Sequence, residues 1–147
     1  MPDALSLRVF DSFLDLTLPR DGWTHEAHLV VCRVALASRT PEETVDLLRH
    51  AIRAYNDATG VENTTSSGYH ETLTRYYVGA VASTGTTTLD EVLVAPRCAT
   101  AAPLTYWTRA VLFGPEARAG WVEPDLAPLP WPVIGPELRV PRSTGRV

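Results

Sequence analysis

Residues 40–60 read TPEETVDLLRHAIRAYNDATG, and this stretch decides the fold class. Thr40 offers an N-cap hydroxyl, Pro41 takes the first helical position, and Glu43 completes a capping box. Val45, Leu48, Ile52 and Tyr55 recur at helical spacing and form one apolar face. Gly60 tolerates the left-handed backbone that ends a helix. A segment with a start signal, one apolar face and a stop signal is a helix.

The same logic extends outward. Leu7, Phe10, Phe13 and Leu14 share helical spacing, and Pro19 closes that segment. In GWTHEAHLVVCRVAL, residues 22–36, Thr24 is an N-cap and Leu29 to Leu36 is dense in apolar residues. After the polar turn-rich VENTTSSG, residues 61–68, a fourth helix begins near Tyr69 with Leu73, Tyr76, Tyr77, Ala80 and Val81 turned inward. Thr88 and Glu91 make a second capping box and open a short helix that ends before Pro96. PLTYWTRAVLF (103–113) and PEARAG (115–120) add short turns. No hairpin signal of the Asn-Gly kind lies between alternating runs. The expected class is all-α: a compact bundle of about four main helices plus short ones.

The last third reads differently. Eight of the 12 prolines lie at or after Pro103, and EPDLAPLPWPVIGPELRVP (123–141) cannot be regular helix or central strand. Trp121, Leu126, Leu129, Trp131, Val133 and Ile134 still have apolar surface to hide. The expectation is an extended strap across the bundle, stiffened by proline so that little chain entropy is lost on docking. Residues 1–135 then form a single domain and 136–147 a flexible tail.

A chain of 147 residues suffices for one domain with a core. Its net charge of −4 and the lack of a basic stripe argue against nucleic acid. No apolar run approaches the roughly 18 residues of a membrane span, and the N-terminus lacks the pattern of a signal peptide. Two cysteines, Cys32 and Cys98, are too few for a disulfide scaffold, so a cytoplasmic setting is expected. No nucleotide-cofactor fingerprint is present.

Chemistry concentrates at two helix starts. His25, Glu26 and His28 open one helix, and Tyr69, His70 and Glu71 open another. Residues three or four apart share a face, so His25 and His28 point together and Cys32 continues their line. If the two helix starts meet, His25, His28 and His70 converge. Three imidazoles with an open position suit catalytic zinc, and two with a carboxylate suit iron. H-E-x-H is not H-E-x-x-H, so zincin geometry does not transfer. Glu26 or Glu71 would complete the shell, orient an imidazole or act as general base, with Tyr69 and Arg75 positioning substrate. By contrast, His50 sits on the polar side of its helix and reads as solvated. Cys32 reads as a small buried hydrophobe, and Cys98 as a loop residue without an activating neighbour. Arg118 reads as pairing an acid or capping a helix end.

Three elements also carry a resemblance. WTHEAHLVV, then RAYNDATG with SGYHETLTRYY, then FGPEARAGWVEPDLAPLP resemble a family of small bacterial proteins of uncharacterised function, over about residues 20 to 131. That family has T-H-E-A-H-L and Y-H-E-T elements and a P-E-A-R-x-G-W-x-x-P-D-L-x-P-L-P segment. The resemblance implies signature positions at His25, Glu26, His28, Tyr69, His70, Glu71, Thr72, Glu116, Arg118 and Trp121. It implies no particular reaction. Cys32 stands where the family has an ordinary apolar or small residue.

Three readings follow. The first is a metal-dependent enzyme on a small molecule. The second keeps the pocket without metal, as a His/Glu acid–base isomerase, cyclase or hydrolase. The third is a ligand-sensing or partner-binding module, with Trp121 and Trp131 on an interaction surface or homodimer seam.

Overall fold

The computed structural model describes residues 2–85, 88–132 and 134. Four longer helices carry the fold: α1 (Ala4–Leu14), α2 (His25–Leu36), α3 (Pro41–Ala58) and α4 (Glu71–Thr84). Three short ones follow: α5 (Leu89–Val94), α6 (Arg109–Leu112) and α7 (Pro115–Ala119). No strand occurs among the described residues, and none of their helices is long and apolar enough to cross a membrane. Central α2 and α4 pack on each other; α1 and α3 flank α2, while α3 and α7 flank α4.

The caps form as the sequence dictates. Thr24 accepts from the Ala27 N–H at 3.1 Å. Thr40 and Glu43 close the reciprocal box at 3.1 and 2.9 Å. Gly60, at φ 82°, follows the Thr59 C-cap of α3. α4 starts differently from the expected Tyr69. Its N-cap is His70, whose ring nitrogen takes the place of a hydroxyl.

The core joins Phe10 and Phe13 of α1 to Leu29, Val31 and Val34 of α2, Val45 and Tyr55 of α3, and Tyr76 and Val78 of α4. Burying a large apolar side chain contributes about 1.5–3 kcal/mol. On α1 the buried stripe is Ser6, Phe10 and Phe13, so Leu7 and Leu14, expected on the inner face, are exposed instead. Cys98, read as a loop residue, is buried against the core.

The proline-rich strap docks by backbone and by rings. The Leu126 N–H donates to the Tyr106 carbonyl at 2.9 Å. The Trp107 indole donates to the Val122 carbonyl at 3.1 Å. Asp125 accepts from the Thr108 N–H and hydroxyl, both at 2.8 Å. With its backbone held from one side, the Leu126 side chain is left 56% exposed, against its expected burial. Trp131 is buried against Tyr76 and Tyr106 of its own chain, and Trp121 is half-buried. Val133 and the expected tail from residue 136 lie outside the described residues.

Gly79 lets the strap approach α4. A Cβ there would lie 2.5 Å from Nε1 and 2.9 Å from Cδ1 of Trp131. Gly79→Ala is therefore expected to displace the indole and destabilise the fold by about 1–3 kcal/mol. Thermal unfolding followed by tryptophan fluorescence checks both effects.

Candidate functional site

All three expected histidines face one cavity of about 650 Å³ between α2, α3, α4 and the 98–113 segment. The two distant helix starts therefore border the same cavity. Much of the wall is apolar: Trp23, Leu48, Ile52, Leu73, Leu104 and Leu112. The ring nitrogens of the histidines have different fates, and these decide what the site can do.

His70 is fully committed. The Leu73 N–H donates to its Nδ1 at 3.1 Å, and its Nε2 donates to the Leu112 carbonyl at 2.7 Å. Both bonds hold together only in the neutral Nε2–H tautomer. Burial lowers its pKa against the opposing pull of the Leu112 carbonyl. A neutral imidazole at the positive helix end resolves the oddity of a histidine there, because Nδ1 acts as a cap acceptor. With both nitrogens used, no lone pair remains for a metal.

His25 and His28 are each tied at one nitrogen. His25 Nε2 donates to the Cys98 carbonyl at 2.8 Å. His28 Nδ1 donates to the Thr24 carbonyl, one helical turn back, at 2.7 Å. Each bond fixes the tautomer of the neutral form, in which the lone pair lies on His25 Nδ1 and on His28 Nε2. The His28 ring stacks on Trp23 at 3.7 Å, and Trp23 stacks on Phe13 at 4.3 Å. Burial pushes the His28 pKa down to about 4, outweighing the Thr24 hydrogen bond. His25 meets the Tyr77 ring edge-on at 5.2 Å, and the Tyr77 hydroxyl reaches the Ala99 carbonyl at 2.9 Å.

The carboxylates lie elsewhere. Glu26 is exposed on the first turn of α2 and does not line the cavity. Glu71 does not line this cavity; it turns to a different face of α4, towards Arg49 and Arg75, and so does not complete a shell with the imidazoles. It accepts from Arg49 Nε and Nη2 at 2.9 and 2.8 Å, from Arg75 Nε at 2.6 Å and from the Tyr69 hydroxyl at 2.8 Å. Burial opposes its charge, but these bonds hold its pKa down to about 2. Arg75, expected to position substrate beside the histidines, gives its Nε to this cluster and does not line the cavity. Tyr69 lines the cavity with its ring and gives its hydroxyl to Glu71; burial, then the nearby carboxylate, raises its pKa. Among the described residues, no group of three His, Cys, Asp or Glu side chains is placed to hold a metal ion. The expected shell of His25, His28 and His70 thus loses His70 to helix capping.

Cys32 also borders the cavity. Burial, and then Cys98, raises the pKa of its thiol, which disfavours the thiolate a ligand or nucleophile needs. His50 is exposed and bonds the Asp46 carbonyl of its own helix at 2.8 Å. Sequence reasoning missed Trp23, Thr74 and Phe113 as lining residues. Only the adjacency of Trp23 to Thr24 hinted at its role. Comparison of the chain with protein-family models, with curated proteins and with solved structures finds no match.

Two pH windows separate the two clusters. The His28 pKa is lowered from 6.5 to about 4 on folding, so its contribution is complete above 6.5 and fades as pH falls towards 4. The Glu71 pKa is lowered from 4.5 to about 2, so its contribution is complete above 4.5 and fades towards 2. His28→Phe, which keeps the ring stack, should reduce the fall in stability between 6.5 and 4, leaving the part due to His70. Glu71→Gln should cost about 3 kcal/mol at neutral pH and flatten only the lower window. Denaturant unfolding across pH checks both.

Proposed function

We propose that the chain binds a small, largely apolar molecule bearing an O–H or N–H group, and that His25 and His28 accept its hydrogen bonds. The observation that carries this reading is the pair of imidazoles that line one cavity, each tied to a backbone carbonyl, at 2.8 and 2.7 Å, through one nitrogen, with the other nitrogen left as an acceptor. Rigid placement of a few polar groups in an apolar cavity of about 300–1,000 Å³ is what small-molecule recognition requires.

Recognition fits better than acid–base turnover. A base works best with a pKa near the operating pH. The His28 pKa is about 4, and Glu71 is consumed by Arg49, Arg75 and Tyr69. Among the described residues no Asp or Glu lines the cavity. A site with acceptors and no carboxylate disfavours amines and other cations, whose charge would go unpaired.

Titration with phenol and 2-naphthol, followed by tryptophan fluorescence, tests the reading. Saturable binding is expected, weakened roughly five- to tenfold in His25→Gln and in His28→Phe and unchanged in the exposed His50→Ala. Binding that ignores both cavity variants, or no binding by either probe, would overturn it.

One observation favours a second reading, a divalent metal held by His25 and His28 with outside ligands. Metal-ligating histidines commonly give their other N–H to a backbone carbonyl, as these two do. Elemental analysis of untagged protein and calorimetry with Zn²⁺ address it. Stoichiometric metal lost in His28→Phe but kept in His70→Ala is the expected signature. Metal kept in His28→Phe would rule it out.

A further inference from the structure

A second, smaller concavity of about 320 Å³ lies on the other side of α4, lined by Arg49, Arg53, Glu71, Arg75, Ala119 and Gly120. Three guanidinium groups thus share it with one carboxylate. Glu71 is 3% exposed and already accepts from Arg49, Arg75 and Tyr69. The third donor group of Arg49, Nη1, goes to Asp46 at 3.1 Å. Arg49 is therefore satisfied by two carboxylates.

The other two arginines are not. Arg75 is 8% exposed, and its hydrogen bond within the described residues is from Nε to Glu71. Its Nη1 is buried with no partner. A buried guanidinium donor left empty is costly, and more so than a neutral one. Arg53 is exposed at the rim. Its guanidinium carbon sits 4.9 Å from the centroid of the Tyr69 ring, and among the described residues it meets no carboxylate within ion-pair distance. Counting charges, Arg49, Arg53 and Arg75 face Glu71 and Asp46. The cluster is one negative charge short.

We propose that this cleft is a binding site for one oxyanion, the phosphate or carboxylate group of a small molecule, received by Arg75 and Arg53. Guanidinium forks match both groups in shape and charge. An oxyanion supplies both the acceptors and the negative charge that the cluster lacks, whereas water supplies no charge. Glu71 serves as the positioning residue: it takes Arg75 by Nε and leaves the Nη donors for a ligand. The site is separate from the imidazole cavity and stands or falls independently of it. Tyr69 is common to both, with its ring on the cavity and its hydroxyl on Glu71.

Calorimetric titration of the full chain at constant ionic strength, with inorganic phosphate, phenyl phosphate and benzoate, tests the proposal. Saturable one-to-one binding at about millimolar Kd is expected for at least one of the three. The preferred probe tells which anion the cleft takes. Arg53→Gln should weaken binding about tenfold without lowering the unfolding midpoint of the anion-free protein. Arg75→Lys keeps the charge but removes the forked donors, and should weaken binding at least as much. Arg109→Gln, an exposed arginine outside the cleft, should change nothing. The absence of saturable binding by any probe up to about twenty times that Kd overturns the proposal. So does equal binding by the wild type and Arg53→Gln.

Discussion

The start of α4 is the joint on which the rest of the structure hangs. Four consecutive residues each reach a different part of the chain. The Tyr69 N–H donates to the Asn63 side chain at 2.9 Å. His70 caps its own helix and holds the Leu112 carbonyl, while Glu71 takes Arg49 from α3. The Thr72 hydroxyl donates to the Gly120 carbonyl at 2.7 Å and accepts from the Val122 N–H at 3.2 Å. One short stretch thereby fixes the loop before α4, the flank of α3, the end of α6 and the beginning of the strap. The bonds are buried or partly so, and breaking any one leaves a polar group without its partner, which is costly away from water.

The loop into this joint is shaped by Gly68. It stands at φ 82°, and a Cβ there would meet the Glu62 carbonyl oxygen at 2.5 Å. That tight return brings Asn63 back beneath Tyr69, where its side-chain oxygen also accepts from Asn56 at 3.0 Å. Arg118 closes the arrangement from α7 by donating to the Gly68 carbonyl at 2.7 Å. Thr72, Arg118 and the chain around Trp121 are thus fasteners of the C-terminal segment.

The two faces of α4 do different chemistry for a simple geometric reason. His70 is the extended N-cap and Glu71 the first helical residue, so their side chains leave the backbone in different directions. His70 turns to the imidazole cavity, and Glu71 turns to the arginines. His25, from α2, faces the same cavity and braces the 98–100 turn through the Cys98 carbonyl, as Tyr77 does through Ala99 and Thr100. The cavity wall is held by the side chains that line it.

The sequence by itself determined the helical class, the caps at Thr24, Thr40 and Thr88, the end at Gly60, and the extended, non-helical character of the proline-rich segment. These are local matters: a cap acts within three residues, proline and glycine act on their own dihedral angles, and an apolar face repeats within two turns. It also marked the two histidine-bearing helix starts, and the fold brings them to one cavity. Only the tertiary structure decided what each of those residues does. The ring nitrogens of His70 are claimed by its own cap and by a carbonyl 42 residues away. Glu71 is claimed by an arginine 22 residues back, on another helix. His25 is tied to a carbonyl 73 residues on. Side chains choose partners among everything the fold sets within about 3 Å, and no spacing along the chain encodes that set.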